Sequence, residues 1–281
     1  MFDTHCHLNF KAYRKNLADV IARTRRAGIN KVVIPGTNVE TSRGAVQIAS
    51  AEQGLYAATG IHPHHVFELY VKLEKGAGFD EVVGNELQEI RSLLREKSVV
   101  AVGEVGLDRH MYIQTKYAEY RVTEEFIDIQ KKVMEQHILL AIEHNLSLII
   151  HNREAAEDML SVLRSVWDSS LRGRTVFHCC EANSDLLQFA CENEVFIGVD
   201  GDITYSDIKR EFIRRVPRKL LVLETDGPYL LPEPLRSRKE YPNAPYNLPV
   251  IAQKVAEWRE EPVAEVEYYT GENADRLFSL T

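Results

Sequence analysis

Residues 99–108 read Val-Val-Ala-Val-Gly-Glu-Val-Gly-Leu-Asp. The run from Val99 to Val102 is apolar throughout, which is typical of a strand buried on both faces, as parallel sheets require. A carboxylate, Glu104, follows the run at once. Strands of this kind that end in a residue able to carry chemistry recur along the chain, and they predict a parallel sheet whose strand ends share one site.

Short β-rich runs alternate with longer helix-like stretches throughout the sequence. We predict eight strands, at residues 1–4, 31–35, 56–60, 99–102, 146–150, 175–177, 195–199 and 220–224. The clearest helical patterns lie at residues 124–145, 155–171, 183–194, 248–260, 263–270 and 273–280. This alternation predicts an α/β fold, a TIM (β/α)8 barrel, as a single domain over residues 1–281 with extra C-terminal helices. A doubly wound open sheet is the alternative, because alternation alone does not establish closure.

Composition narrows the function classes. No stretch approaches the roughly 18 apolar residues of a membrane helix, and the N-terminus shows no secretory pattern. The four cysteines lack a paired zinc-type spacing and suit a reducing compartment, so we expect a cytoplasmic protein. No obligate protein partner is evident from the sequence. The net charge of −8 argues against broad non-specific adhesion to nucleic acid or anionic membrane. A nucleic-acid enzyme remains open, since bound metal ions can make a local site positive.

The most informative residues follow predicted strands. His5 and His7 form a His-x-His pair, and such a pair on a strand directs both imidazoles to one face. Imidazoles and carboxylates are good ligands for divalent cations. Six residues of these types lie at strand ends, and we predict them as metal ligands: His5, His7, Glu104, His151, His178 and Asp226.

Six protein ligands exceed the three that one open catalytic zinc usually takes, so we expect two divalent ions, with Mg, Mn and Zn all open. Glu104 comes from the middle of the barrel order and is the expected bridge. Two ions about 3.5–4 Å apart can activate water and stabilise the attacking and leaving oxygens. Asp226 can bind a metal and accept a proton from the attacking water. Glu104 and Asp226 are therefore the predicted catalytic residues.

The sequence resembles the TatD-type deoxyribonuclease family over essentially its whole length. The resemblance rests on DTHCHL from Asp3, GIHPH from Gly60, GEVGLD from Gly103, HNR from His151, HC from His178, ETDGPY from Glu224 and a tail ending in GENADRLF. It implies a TIM barrel, a dinuclear divalent metal site, DNA as substrate, and ligand roles for the six residues above.

Several positions depart from the family pattern. The family usually has Ser where this chain has Gly227 and Asn152, and Phe-Ser-Gly where this chain has Cys-Glu-Ala from Cys180. Arg109 stands in place of an aromatic residue, and the stretch between His62 and Glu104 is longer than is typical. No departure removes a predicted ligand, so these differences bear on the substrate rather than on hydrolysis.

Other polar residues have both a functional and a structural interpretation. His62 and His64 are candidate substrate-binding residues, His62 through a phosphate or by supporting a ligand, or else loop histidines. Arg153 is a candidate phosphate-binding residue, or else a surface arginine. A long Pro-rich loop at 231–247 carries Arg236, Arg238 and Lys239, which form either a positive rim or a solvated loop. For the last set, Lys209, Arg210, Arg214 and Arg215, we expect an exposed helix face. Residues 72–84 are expected to be a loop-containing insertion.

The first hypothesis is therefore a metal-dependent phosphodiesterase that acts on DNA. A small-molecule amidohydrolase or lactonase on the same site is the first alternative, because a barrel fold alone does not fix function. A non-catalytic scaffold protein that keeps the site as a relic is the second. The sequence has no nucleophile-elbow Gly-x-Ser-x-Gly, so a Ser-His-Asp hydrolase is not supported.

Overall fold

The computed structural model describes residues 1–117 and 119–280. Within these ranges, eight parallel strands form one sheet in sequential order. The strands are β1 (Phe2–Asp3), β2 (Lys31–Pro35), β3 (Leu55–Thr59), β4 (Val99–Asp108), β5 (Ser147–Arg153), β6 (Thr175–Phe177), β7 (Phe196–Val199) and β8 (Leu221–Leu223).

Helices connect the strands and cover the outside of the sheet. The α-helices over the described residues are α1 (Leu17–Arg26), α2 (Val39–Ala51), α3 (Pro63–Glu74), α4 (Phe79–Leu93), α5 (Glu124–His144), α6 (Ala156–Val166), α7 (Ser184–Asn193), α8 (Asp207–Arg215), α9 (Leu248–Arg259) and α10 (Val263–Leu277). Short 3-10 helices lie at Ser169–Leu171, Gly201–Thr204, Arg218–Leu220 and Pro245–Asn247. No helix among the described residues combines the length and apolar character needed to cross a membrane.

Backbone hydrogen bonds between the first and last strands bring the two edges of the sheet together. Thr4 N donates to Leu223 O at 3.1 Å, and Asp226 N donates to His5 O at 2.8 Å. Cys6 and Gly227 form a parallel bridge beyond the strands. The predicted TIM barrel is therefore confirmed, and the open-sheet alternative is wrong.

The sequence marks where several helices begin. The Asn38 side chain accepts from Thr41 N at 2.9 Å, and Thr41 Oγ1 accepts from Asn38 N at 3.0 Å, which is a reciprocal cap at the start of α2. Thr123 caps α5 by accepting from Phe126 N at 3.2 Å. Each cap satisfies backbone donors that the first turn of a helix leaves free.

Two regions differ from the sequence prediction. Residues 72–84 were expected to be a loop-containing insertion, but α3 and α4 fill all of it except residues 75–78. The two terminal helices predicted at 263–270 and 273–280 are one helix, α10, which runs through Gly271. Gly271 costs only about 1 kcal/mol inside a helix, and the apolar contacts of Val266, Ala274 and Leu277 outweigh it.

The apolar residues form two buried clusters, and the larger one lies between the sheet and its surrounding helices. The smaller cluster takes at least one residue from every strand and adds residues from the end of α10: Phe2, Val33, Ala58, Val100, Ala101, Ile149, Val176, Phe196, Val222, Ala274, Leu277 and Phe278. Ser147 Oγ donates to Leu277 O at 2.6 Å, and Asn273 Nδ2 donates to Leu221 O at 2.8 Å. Since Ser147 and Leu221 start their strands, α10 covers the N-terminal end of the barrel.

Candidate active site

The opposite end of the barrel receives the polar residues. Strand side chains alternate, so on β5 and β6 the residue two places after an interior apolar residue also points inward. Ile149 is followed in this way by His151, and Val176 by His178. The apolar interior therefore ends in a layer of histidines and carboxylates at the C-terminal mouth, where TIM barrels carry their active sites.

Two strands are longer than predicted and hold their functional residues within the sheet. β4 continues past Val102 to Asp108, with a register shift between Val102 and Val105, and β5 continues through His151 to Arg153. Gly106 makes this pairing fit, because a Cβ at its positive φ of 157° would lie 1.8 Å from the carbonyl oxygen of His151. Glu104 and His151 are thus fixed by the sheet rather than by loops.

One side of the centre joins Glu104 to the first and last strands. Glu104 Oε2 lies 3.4 Å from His5 Nε2 and 3.5 Å from His7 Nε2. Asp226 Oδ1 lies 3.4 Å from His7 Nε2 and 3.7 Å from His5 Nε2. Two imidazoles and two carboxylates therefore face a common point.

The other oxygen of Glu104 faces a second group of imidazoles. Glu104 Oε1 lies 2.9 Å from His151 Nδ1, 2.9 Å from His178 Nε2 and 3.3 Å from His62 Nε2. His62 was predicted to bind substrate or support a ligand, and the structure puts it directly on Glu104. His62 also begins α3, where its Nδ1 accepts from His64 N at 3.0 Å.

These groups are buried, and their charges act on one another. Burial by itself raises the pKa of Glu104, but the charges of His62 and His178 and the hydrogen bonds from His151 and His178 outweigh it and hold that pKa well below its usual range. Burial lowers the pKa of His151, yet the neighbouring carboxylates of Asp108 and Glu104 raise it to about 9. For His5, burial and the charge of His178 lower the pKa. The carboxylates therefore create a strong demand for positive charge at the centre.

The imidazole nitrogens and carboxylate oxygens of the centre are suited to binding divalent cations. His5 Nδ1 is buried and has no hydrogen-bond partner among the described residues. Buried polar atoms without partners are rare unless an ion or water completes them. Ligand atoms of His5, His7 and Glu104 lie within 4.8 Å of one another, as do those of His62, Glu104 and His151. Glu104 belongs to both groups.

Further carboxylates stand behind two of the histidines. Asp108 Oδ2 lies 3.4 Å from His151 Nε2, and Glu224 Oε1 lies 3.6 Å from His178 Nδ1. Asp108 also accepts from His110 N at 2.8 Å and from Tyr112 Oη at 2.7 Å. A carboxylate beside the second nitrogen of a metal-binding histidine fixes the orientation of its ring.

An open cavity of about 620 Å³ lies over this centre. Besides the centre itself, it is lined by Phe10, Thr37, His64, His65, Tyr112, Gln114, Asn152, Arg153, Cys179, Glu181, Asp200, Asp202, Lys209, Tyr229 and Leu230. Both remaining substrate-binding candidates, His64 and Arg153, are among the lining residues. His64 Nε2 makes a 2.9 Å hydrogen bond with Thr115 Oγ1, and burial lowers the pKa of His64 to about 4. His64 is therefore a neutral hydrogen-bonding group.

Arg153 reaches the cavity from the end of β5. Its Nη1 donates to Tyr112 Oη at 3.1 Å, and its guanidinium carbon lies 5.1 Å from the centre of the Tyr112 ring. Among the described residues it has no carboxylate within ion-pair distance. This arginine can therefore offer a free guanidinium to an anionic ligand.

The basic loop does not supply a positive rim to the cavity. Arg236 lies over the ring of Tyr205 at 4.3 Å and 3.5 Å from Glu233 Oε1, while Arg238 lies 3.8 Å from Glu240 Oε1. None of the loop's three cations is among the described residues that line the cavity. The structure therefore favours the solvated-loop interpretation, with Arg236 and Arg238 beside carboxylates of the loop and Lys239 exposed.

Lys209 also departs from the expected exposed helix face. Its side chain is buried, and Nζ lies 2.9 Å from Asp202 Oδ2 and 3.3 Å from Asp200 Oδ2. The charge of Asp200, which is fully buried, raises the pKa of Lys209 well above its usual value despite burial. The charged, amphipathic sequence of α8 predicts an exposed lysine at this position. The burial of Lys209 depends on carboxylates outside α8, which the sequence of the helix does not reveal.

The residues that depart from the family pattern contact other residues of this chain. A Cβ at Gly227 would lie 2.5 Å from Tyr13 Oη, so Tyr13 fills the space that a serine would need. Asn152 Nδ2 donates to Glu181 Oε2 at 2.7 Å, which pairs two of the unusual positions. Arg109 binds Glu124 and Asp158 on the outside of the barrel and does not line the cavity.

Sequence reasoning missed several lining residues. Phe10, Tyr112 and Tyr229 were not singled out because each lies in a connection with no periodic pattern. One signal was available for Tyr229, since it lies three residues after Asp226 in the loop that leaves the catalytic end of β8. Tyr112 lies in the irregular connection after β4 and has no such signal.

Comparisons with known proteins agree over the length of the chain. The profile of the family described as TatD related DNase matches residues 2–279. An uncharacterized metal-dependent hydrolase from Bacillus subtilis is 30% identical over 282 residues, covering 100% of this chain and 99% of its own. A protein of Pantoea ananatis named 3′-5′ ssDNA/RNA exonuclease TatD is 32% identical, with 100% of both chains covered. The crystal structure of a TatD homologue from Escherichia coli matches with a TM-score of 0.82 at 26% identity, covering 100% of this chain and 98% of that one.

Proposed function

Because this chain belongs to the TatD related DNase family, we propose that it is a metal-dependent phosphodiesterase that removes nucleotides from the 3′ end of single-stranded DNA or RNA. The metal-dependent hydrolase class, which the motifs predicted, is also that of the matched relatives. The polarity and the single-stranded substrate follow the relatives named 3′-5′ ssDNA/RNA exonucleases.

The observation that carries the proposal is the position of Glu104 between two groups of imidazoles. Oε2 faces His5 and His7, and Oε1 faces His62, His151 and His178, at 2.9 to 3.5 Å. A carboxylate in this position can bridge two cations. We therefore propose two divalent ions, drawn from Mg, Mn and Zn, with Asp226 completing the His5–His7 side.

The chain's own groups suit phosphodiester hydrolysis. When bound, divalent cations supply an activated water and neutralise phosphate charge. Asp226, whose side chain is 13% exposed, reaches the cavity from β8 and is the proposed proton acceptor. Arg153 on the opposite side is the proposed contact to a backbone phosphate. His64 and His62 would donate hydrogen bonds to substrate or hold the ring of a neighbour.

We further propose that residues 1–281 act as one domain and that the protein works in the cytoplasm. All four cysteines are unpaired, and Cys191 is exposed, which suits a reducing compartment. Every residue of the proposed centre comes from this one chain.

The proposal is tested by substrate and by mutation. The purified protein, loaded with Mg²⁺, Mn²⁺ or Zn²⁺, is given 5′-labelled single-stranded DNA and RNA, alongside amide and lactone panels. We expect stepwise shortening from the 3′ end. In a folded, metal-loaded Asp226→Asn protein nearly all turnover should be lost while circular dichroism persists, because the amide cannot accept the proton.

Asp185→Asn on the exposed start of α7 is the matched control and should cleave like wild type. Hydrolysis of amides or lactones without cleavage of any nucleic acid would favour the small-molecule alternative. Near-normal turnover by a folded, metal-loaded Asp226→Asn protein would remove Asp226 from its proposed role.

A further inference from the structure

One wall of the cavity is aromatic. Tyr229 lies three residues after Asp226, and its side chain is 55% exposed. The Phe10 ring stacks on the His7 ring, with centroids 4.3 Å apart and planes at 15°. Tyr229 meets Phe10 edge to face, at 6.4 Å and 78°. An apolar face thus extends from a residue of the metal centre outward to the solvent.

The backbone under this wall is held firmly although the ring of Tyr229 is exposed. Tyr229 N donates to Asp226 O at 2.9 Å, and Asn243 N donates to Pro228 O at 3.1 Å. Asn243 also donates from Nδ2 to Thr225 O at 2.8 Å and accepts from Tyr13 Oη at 2.5 Å. The exposure of Tyr229 is therefore not that of a loose loop, and its ring is presented to whatever enters the cavity.

The opposite side of the cavity is cationic rather than aromatic. In a closed sheet ordered β1 to β8, the end of β5 lies across the barrel from β1 and β8. Phe10 follows β1 and Tyr229 follows β8, whereas Arg153 ends β5. An anion-binding arginine and an aromatic wall therefore flank the proposed centre from opposite sides.

We propose that Phe10 and Tyr229 form a nucleobase-binding subsite, in which the base of a nucleotide adjoining the scissile phosphate stacks on the ring of Tyr229. This subsite rests on the proposed function, and it would hold the base of the nucleic acid substrate. Each nucleotide of a single strand carries an aromatic base beside an anionic phosphate, and the cavity offers an aromatic wall beside a cation-binding centre and a guanidinium. Stacking accepts any base, because every base has a π-face.

Kinetics on matched substrates test the subsite. We expect Tyr229→Ala to lower kcat/KM on single-stranded DNA about tenfold or more, as loss of one base–aromatic stack does. Tyr229→Phe keeps the ring and should recover most of that loss. Tyr268→Ala removes a tyrosine of α10 that is 70% exposed and does not line the cavity, and it should match wild type.

Abasic substrates locate the contact. Oligonucleotides lacking the base on the 3′ or the 5′ side of the first scissile phosphate are compared in wild type and Tyr229→Ala. At the stacked position the abasic substrate should slow wild type about tenfold and leave the variant unaffected. Independent, multiplicative effects at both positions would overturn the proposal, as would equal losses in Tyr229→Phe and Tyr229→Ala, which would assign the contact to the hydroxyl.

A binding measurement separates this proposal from the proposed function. Tyr229→Trp is made in the Asp226→Asn background, and its fluorescence is titrated with a trinucleotide in the presence of metal. The trinucleotide should quench this signal more than the fully abasic one does, while the Asp226→Asn parent changes little. Absence of nucleic acid cleavage in wild type would refute the function, whereas normal cleavage with no base-dependent quenching would refute the subsite alone.

Discussion

Glu104 is nearly fully buried, with a side chain that is 3% exposed, and five imidazoles surround it. A buried carboxylate is costly unless opposite charge lies close to it. In this centre the polypeptide can meet that need only with protons on histidines, such as His151 with its raised pKa. Bound cations neutralise the Glu104 carboxylate better than protonated histidines do. Loss of the Glu104 charge should therefore release the cations.

Glu104→Gln should therefore lower bound metal per chain as well as activity. A neutral amide cannot compensate the two proposed dications, and we expect turnover to fall at least about a hundredfold, beyond the effect of losing a group that only supports a ligand. Metal content after gel filtration is the measurement. Glu157→Gln on the exposed face of α6 is the control. Full metal content in Glu104→Gln would refute the bridging role.

Arg153 should contribute through charge alone. If it binds a backbone phosphate, Arg153→Ala weakens cleavage of all DNA sequences alike and reduces the salt dependence by about one unit of slope. Arg238→Ala, whose side chain is 65% exposed beside Glu240, is the matched control and should keep the wild-type slope. Cleavage assays over a salt series measure both. Equal slopes in the two variants would show that Arg153, at the end of β5, does not contact a backbone phosphate.

Among the elements, β4 and β5 show what local sequence could and could not predict. The apolar runs predicted where both strands begin to within a few residues. Their ends were placed too early, because glycines, carboxylates and histidines normally mark a strand's end, and only the pairing of β4 with β5 keeps them extended. The convergence of the six proposed ligands could still be predicted, since strand ends in this fold meet at one end of the barrel.

Residues that depend on tertiary partners could not be predicted in the same way. His62 was placed at the right strand end, but its contact with Glu104 required the barrel to close. Lys209 was assigned to an exposed face because its helix is strongly amphipathic and charged. Nothing near Lys209 in sequence reveals that Asp200, at the end of β7, lies beneath it.

The Lys209–Asp200 pair attaches α8 to the end of β7, and its removal should be costly. Lys209→Met leaves Asp200, which is 0% exposed, without its counter-charge, and we expect a loss of about 3–5 kcal/mol in the free energy of unfolding. Lys209→Met combined with Asp200→Asn should recover much of that loss. Urea unfolding measures both, with the exposed Lys219→Met as control. A loss below about 1 kcal/mol for Lys209→Met would show that the pair is not needed.

For the whole molecule, the barrel depends on contacts between residues far apart in sequence. The Asp3 carboxylate accepts from Thr225 N at 3.0 Å and from Thr225 Oγ1 at 2.6 Å, across the seam between β1 and β8. At the N-terminal end, α10 closes the interior with Leu277 and Phe278, and the ring centroid of Phe278 lies 5.7 Å from that of Phe2.

Phe278→Ala should therefore destabilise the entire barrel by about 3–5 kcal/mol, as expected for loss of a buried phenylalanine. Its side chain is 3% exposed and packs against strands from opposite ends of the chain. Thermal and urea unfolding should both report the change, with exposed Tyr268→Ala as control. The mutated site lies at the other end of the barrel, so kcat should hold at temperatures where the protein stays folded. A loss under about 1 kcal/mol would show that α10 is not a structural cover.

The position of α10 at the end of the sequence determines when the barrel is covered during synthesis. Every strand precedes α10 in the chain, so all eight emerge from the ribosome before residues 274–278 do. Until those residues clear the exit tunnel, the interior side chains at that end of the nascent barrel lack their cover and face water. From the emergence of β8 until then, the growing chain therefore presents an apolar opening to chaperones and to other nascent chains. Release of α10 ends that exposure.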